Sequence, residues 1–232
     1  MAPVPLDYAP PEPNRRGIPI WPAVVATLYL CVLVPVYWRH YGPSNFLWFS
    51  DIALFFGVAA LWLGGRRFGN FVPGPLLASM AALAALLLDT AWDVDFLLHL
   101  VSGREILGLA KYMFDPSYPM YLRLLSLFHI PLPPMLLWLL WRLGYDQRAL
   151  VAQTAVAWVA FLAVYLIQPA KNINWVYGFG ESRQTWVHPL VWLLGMMVAY
   201  PLLIHLPTHV SLKWLFRARA TRPASGPAKR VF

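Results

Sequence analysis

Apolar residues in this chain come in six long runs, at 20–36, 46–63, 71–88, 121–143, 150–168 and 186–206, set apart by polar connections. A helix rises about 1.5 Å per residue and the hydrocarbon core of a bilayer is about 30 Å thick, so roughly 17–25 apolar residues cross it. Each run is near or within that length. The pattern predicts an all-α fold, a polytopic transmembrane helical bundle of six spanning helices. The connections at 64–70 and 142–148 are short and basic, which makes the spans they join antiparallel neighbours.

The other connections are longer and chemically richer. Between Asp89 and Pro119 lie two short apolar stretches, 96–101 and 106–110, split at Ser102-Gly103. They are too apolar for a free loop, yet Arg104, Glu105 and Lys111 are expensive at mid-bilayer. This predicts an outer helical segment that lies along the interface or re-enters it without crossing. The connection at 169–180 mixes Trp175, Tyr177 and Phe179 with Asn172, Asn174 and two glycines. Interfacial anchoring accounts for such a composition; a substrate-lining loop is the alternative.

Composition supports the membrane reading. The chain is 59% hydrophobic and only 12% charged over 232 residues, and its mean hydropathy is +0.56, the profile of a lipid-embedded protein. Six spans leave no room for a separate soluble catalytic domain. The expected organisation is a proline-rich, disordered cytoplasmic leader at 1–19, one transmembrane domain at 20–206, and a basic amphipathic cytoplasmic tail at 207–232. Cys31 is the single cysteine, so no intramolecular disulfide forms.

The net charge of +8 raises nucleic acid as a partner, but position decides otherwise. With the N-terminus inside, Arg15, Arg16, Arg66, Arg67, Arg142, Arg148, Lys213, Arg217, Arg219, Arg222, Lys229 and Arg230 face the cytoplasm, twelve of the eighteen cations. Arg39, Arg104, Lys111, Arg123, Lys171 and Arg183 face out. The positive-inside rule therefore predicts both termini in the cytoplasm. The basic tail is expected to meet anionic lipid headgroups, with no nucleic-acid partner.

The strings YGPSNFLWFSDIAL at 41–54 and KNINWVYG at 171–178 resemble those of a family of uncharacterised bacterial polytopic membrane proteins. The resemblance implies bacterial origin and an inner-membrane location. It brings no activity, cofactor or catalytic residue with it.

Ionisable groups carried into apolar runs are functional candidates by default. They gather toward the outer side: Asp51, Asp89, Asp93, Arg123, His129 and His188. Ala78, Ala82, Ala85, Asp89 and Asp93 fall on one helical face, so a strip of small residues suited to close helix packing leads to two carboxylates. His188, Gly195 and Ala199 repeat the arrangement in the last run. Pro131, Pro133 and Pro134 follow His129 and should distort that helix.

Three readings of the cluster follow. It is a structural ion-pair network with Arg123 on a carboxylate, a site that binds or passes a small or lipid-like molecule, or a metal-assisted or acid/base centre of a hydrolase or transferase acting on a lipid-linked substrate. For the last, carboxylate and imidazole are proper zinc ligands and zinc-bound water is a nucleophile near neutral pH. No compact zinc signature, nucleophile elbow or phosphate loop supports it. The pair His205 and His209 reads as interfacial, with Pro207 breaking the helix between them.

Overall fold

The computed structural model describes residues 18–64, 66, 68, 73–168, 170–180 and 182–220. The expected leader up to residue 17, Arg67, and the tail beyond residue 220, with Arg222, Lys229 and Arg230, lie outside the described residues. Those described form eight α-helices and no strand element: α1 (Ile20–Tyr41), α2 (Phe49–Leu63), α3 (Pro73–Ser102), α4 (Met120–Ser126), α5 (Leu132–Leu143), α6 (Ala149–Ile167), α7 (Pro189–Tyr200) and α8 (Leu206–Ala220).

Two pairs of these are single membrane-length rods. α4 and α5 join through a 3-10 turn at Leu127–His129 and a short kink at Pro131, the distortion that the three prolines predict. α7 and α8 join through a π-helical turn at Pro201–His205. That turn absorbs Pro201, and the helix then runs past Pro207 without a break, so the expected interruption at Pro207 does not occur. The rods Ile20–Tyr41, Pro73–Ser102, Met120–Leu143, Ala149–Ile167 and Pro189–Phe216 are long and apolar enough to cross a membrane.

α2 is the exception. Gly42 takes φ 78° and Pro43 opens a 3-10 turn through Leu47, so the α-helix begins only at Phe49 and has 15 residues. That is about 22 Å of helix, short of the hydrocarbon thickness. α3 departs in the opposite sense. Its 30 residues, about 45 Å, carry on past the apolar run through Asp89, Asp93 and Asp95. The helical part of the 89–119 stretch is thus the top of α3 itself, ended by Gly103 at φ 68°. Beyond it the chain folds back as a loop with one 3-10 turn, Lys111–Met113.

α3 is the central post, packed against α2, α5, α6 and α8. Ala78, Ala81, Ala82, Ala84 and Ala85 are all buried in it, so the small-residue strip is turned into the bundle and lets neighbouring backbones come close. At its base, a Cβ on Gly74 would stand 1.9 Å from the Gly64 carbonyl oxygen; only glycine fits there.

Side-chain bonds fix the up-and-down order. At one end the Ser79 hydroxyl accepts from the Asp146 amide at 2.8 Å, and Tyr145 meets His209 at 2.6 Å. At the other, Lys171 donates to the Tyr41 carbonyl and Asn174 to the Leu47 carbonyl. The second end carries the two long connections, 103–119 and 168–188, and is called the long-loop end below. Large apolar side chains such as Val151, Leu166 and Leu203 point outward along the rods, and Trp38, Trp186, Trp21 and Trp214 lie exposed near the two ends. That is how an integral membrane protein presents itself to lipid tails and headgroups.

Candidate functional site

A cavity of about 850 Å³ opens at the long-loop end and reaches down to Ala84 of α3 and Tyr200 of α7. Its depth follows from the shortness of α2. Because the 3-10 turn at Pro43–Leu47 replaces the first turns of that helix, the bundle lacks one rod's worth of helix there. Phe49 and Tyr200 line the space and are backed by Phe161, the three rings packing with centroids 4.7–5.5 Å apart.

Two loops complete the walls. The 103–119 loop is tied down by Asp95, whose carboxylate accepts from the Leu107 amide at 2.7 Å and from the Ala110 amide at 2.9 Å. This lays Leu107, Leu109 and Tyr112 along the cavity, over a small core of Trp92, Ala110 and Met113. Burial pushes the Tyr112 phenol well above its ordinary range, partly offset by a hydrogen bond with Ser126, so it stays neutral.

The 170–180 loop is held by Asn174. Its side-chain amide donates to the Leu47 carbonyl at 2.7 Å and accepts from the Phe49 amide at 3.2 Å. A residue from a distant loop therefore caps the N-terminus of α2, which has no side-chain cap of its own.

Of the six sequence candidates, three line this cavity: Asp51 on α2, Asp89 on α3 and His129 after α4. Asp51 is 3% exposed and Asp89 4%. The His129 Nδ1 stands 3.2 Å from the Asp89 Oδ2, an ion-pair distance at an angle that makes no hydrogen bond. The ring is stacked between Trp92 and Phe128, 4.5 and 4.3 Å away. Asp51 accepts a long 3.3 Å bond from the Asn45 amide on Oδ2, while its buried Oδ1 has no partner.

The other three stand elsewhere. Asp93 is half-buried on α3 and does not line the cavity. Arg123 donates to the Met113 carbonyl at 3.2 Å and joins no carboxylate in an ion pair among the described residues. It braces the 103–119 loop. His188 is exposed and caps α7, its Nδ1 accepting from the Leu190 amide at 3.3 Å. The expectation that His129 and His188 approach one another near the carboxylates is therefore corrected: His188-Pro189 is a helix start, and its imidazole is taken up by the backbone.

Lys171, Asn45 and Tyr37 belong to the surroundings of the site and were not among the sequence candidates, whereas Ser126 falls on the same side of its run as His129 in the sequence. Tyr37 and Ser126 share a 2.8 Å hydrogen bond, and Lys171 is spent on the Tyr41 carbonyl and the Ser44 hydroxyl. The readable signal for this wall was the Asn, Gly and aromatic mixture of the two loop strings.

Among the described residues no three His, Cys, Asp or Glu side chains gather closely enough to hold a metal. His205 and His209 are buried and not interfacial as expected from sequence. They bond Thr154 at 3.2 Å and Tyr145 at 2.6 Å at the opposite end of the bundle.

No protein-family model matches this chain, and no curated protein and no solved structure is significantly similar to it. Any functional reading must come from the cavity itself.

Proposed function

We propose that this is a multi-pass protein of a bacterial inner membrane, with six spans and both termini cytoplasmic, that binds a small or lipid-like molecule in the cavity at its outer end. One observation carries the binding reading: a cavity of about 850 Å³ lined by two deeply buried carboxylates, Asp51 and Asp89, and by His129. Ligand sites run from about 300 to 1,000 Å³, mostly apolar with a few convergent polar groups. The rings of Phe49 and Tyr200, backed by Phe161, line it, which favours holding a molecule over passing it through. The orientation is supported by the twelve-to-six division of cations, and the basic tail by its fit to anionic headgroups.

Ala84 is fully buried and lines the deep end of the cavity, so Ala84→Trp puts a bulky ring where an occupant would sit. Native mass spectrometry of the purified protein should find a bound small molecule on the natural chain and lose it in this variant, with the variant still monodisperse. An adduct that survives Ala84→Trp, or a natural chain that never carries one, counts against the reading.

A second reading, an acid/base hydrolase or transferase, is favoured by the Asp89–His129 pair. The carboxylate stands 3.2 Å from Nδ1, where a small turn of the ring would close the hydrogen bond that orients an imidazole as a general base. If so, His129→Gln should stop turnover of a lipid-linked ester or phosphoester and leave binding in place.

A further inference from the structure

We infer that the molecule this cavity takes is an organic cation, an ammonium carried on an apolar body, with Asp51 as its counter-ion. This rests on the cavity being a binding site and adds the chemical class of its occupant.

The argument is a census of charge at the cavity. Two carboxylates line it, Asp51 and Asp89, together with two lysines, Lys111 and Lys171. Asp89 has His129 at 3.2 Å. The two lysines keep their charge but are turned elsewhere, Lys171 to the Tyr41 carbonyl and the Ser44 hydroxyl and Lys111 to Glu105 at 3.4 Å, while Arg123, off the cavity, donates to the Met113 carbonyl. Asp51 is left with one long bond from the Asn45 amide and a bare, buried Oδ1. A buried carboxylate needs a positive partner or donors to offset its lost hydration. Among the described residues no cation stands within ion-pair distance of Asp51.

The rest of the lining fits a cation with a carbon body. Trp48, Trp92, Trp175, Tyr37 and Tyr41 surround the space, and the negative faces of such rings attract ammonium groups, most strongly where water is excluded. A bare metal ion suits the site poorly, since no three metal-ligating side chains converge among the described residues and the space is far larger than an ion. An anion would meet two carboxylates.

The test uses three molecules of one shape: benzyltrimethylammonium, its neutral carbon isostere neopentylbenzene, and the anionic phenylmethanesulfonate. Each is titrated calorimetrically into the full chain in non-ionic maltoside micelles. The ammonium should bind about tenfold or more tighter than the neutral isostere, as a desolvated cation on aromatic faces does, and the sulfonate should bind weakest. Asp51→Asn should erase the preference; Asp51→Glu, which keeps the charge, and Asp93→Asn, off the cavity, should retain it.

The comparison among isosteres on the natural chain needs no variant to fold. If the neutral or anionic probe binds as tightly as the ammonium, or the preference survives Asp51→Asn, the cation inference fails while the cavity reading stands. If none of the three binds, the inference also fails, and the cavity reading is then judged by the Ala84→Trp adduct test alone.

Discussion

Asn174 holds a left-handed backbone at φ 53°, followed by Trp175 at φ 60°. For a residue with a Cβ this conformation costs about 1–2 kcal/mol, and such strain persists only where surrounding contacts over-determine it. Here the contacts are the two bonds to the Leu47 carbonyl and the Phe49 amide. Asn174→Ala keeps the strain and orphans two buried backbone groups, so it should destabilise the protein by about 2–4 kcal/mol. Asn174→Gly removes the strain and should be distinctly milder. Thermal unfolding in maltoside micelles compares the two, and equal losses would mean the backbone angle plays no part. Composition alone revealed that this loop was unusual, whereas the bonds from Asn174 to a helix 125 residues away are a tertiary event with no local signature.

Single residues also explain which site candidates were readable. Asp51 and His129 stand inside apolar runs and Asp89 directly follows one on its small-residue face, where an ionisable group has to face protein, and all three do. His188 and Arg123 sit at the ends of their runs. At a helix terminus a polar side chain has backbone groups to bond, and both are taken up in that way.

At the scale of elements, the site exists because two helices depart from the lengths of their apolar runs. α2 starts late, since Gly42 and Pro43 divert the chain into a 3-10 turn. α3 ends late, since nothing before Gly103 stops it. The hydropathy pattern marks where apolar residues are, and helix boundaries depend on caps and turns that hydropathy does not record. The overrun of α3 has a consequence: it lifts Asp95 to where its carboxylate can gather two loop amides. Those bonds use both carboxylate oxygens as acceptors, which an amide cannot reproduce. Asp95→Asn replaces one acceptor oxygen with a donor and should cost about 1–3 kcal/mol locally. Hydrogen–deuterium exchange at Leu107 and Ala110 should then accelerate about tenfold or more, while exchange around Ala78–Ala85 stays unchanged. Unaltered exchange in the loop would mean that the Trp92, Ala110 and Met113 cluster alone holds it over the cavity.

For the molecule as a whole, the all-α bundle was legible because lipid imposes one rule: backbone polar groups must be satisfied within the segment, and an uninterrupted apolar run leaves only a helix. The cavity was not legible, because a void is a property of how rods of unequal length pack. Its position makes the orientation of the chain decisive, since a ligand reaches it from whichever side the long-loop end faces. We propose from the cation division that this end faces outward, and a labelling experiment reads it directly. Ser44, although in a connection, is buried under Lys171 and would report poorly. Ser182 is exposed at the long-loop end, and Phe68 is exposed in the short connection at the other. In a Cys31→Ala background, Ser182→Cys should react with a membrane-impermeant maleimide on intact cells, and Phe68→Cys should react only after the inner face is opened. The reverse pattern would turn the cavity toward the cytoplasm, and its occupant would then have to be sought among cytoplasmic amines.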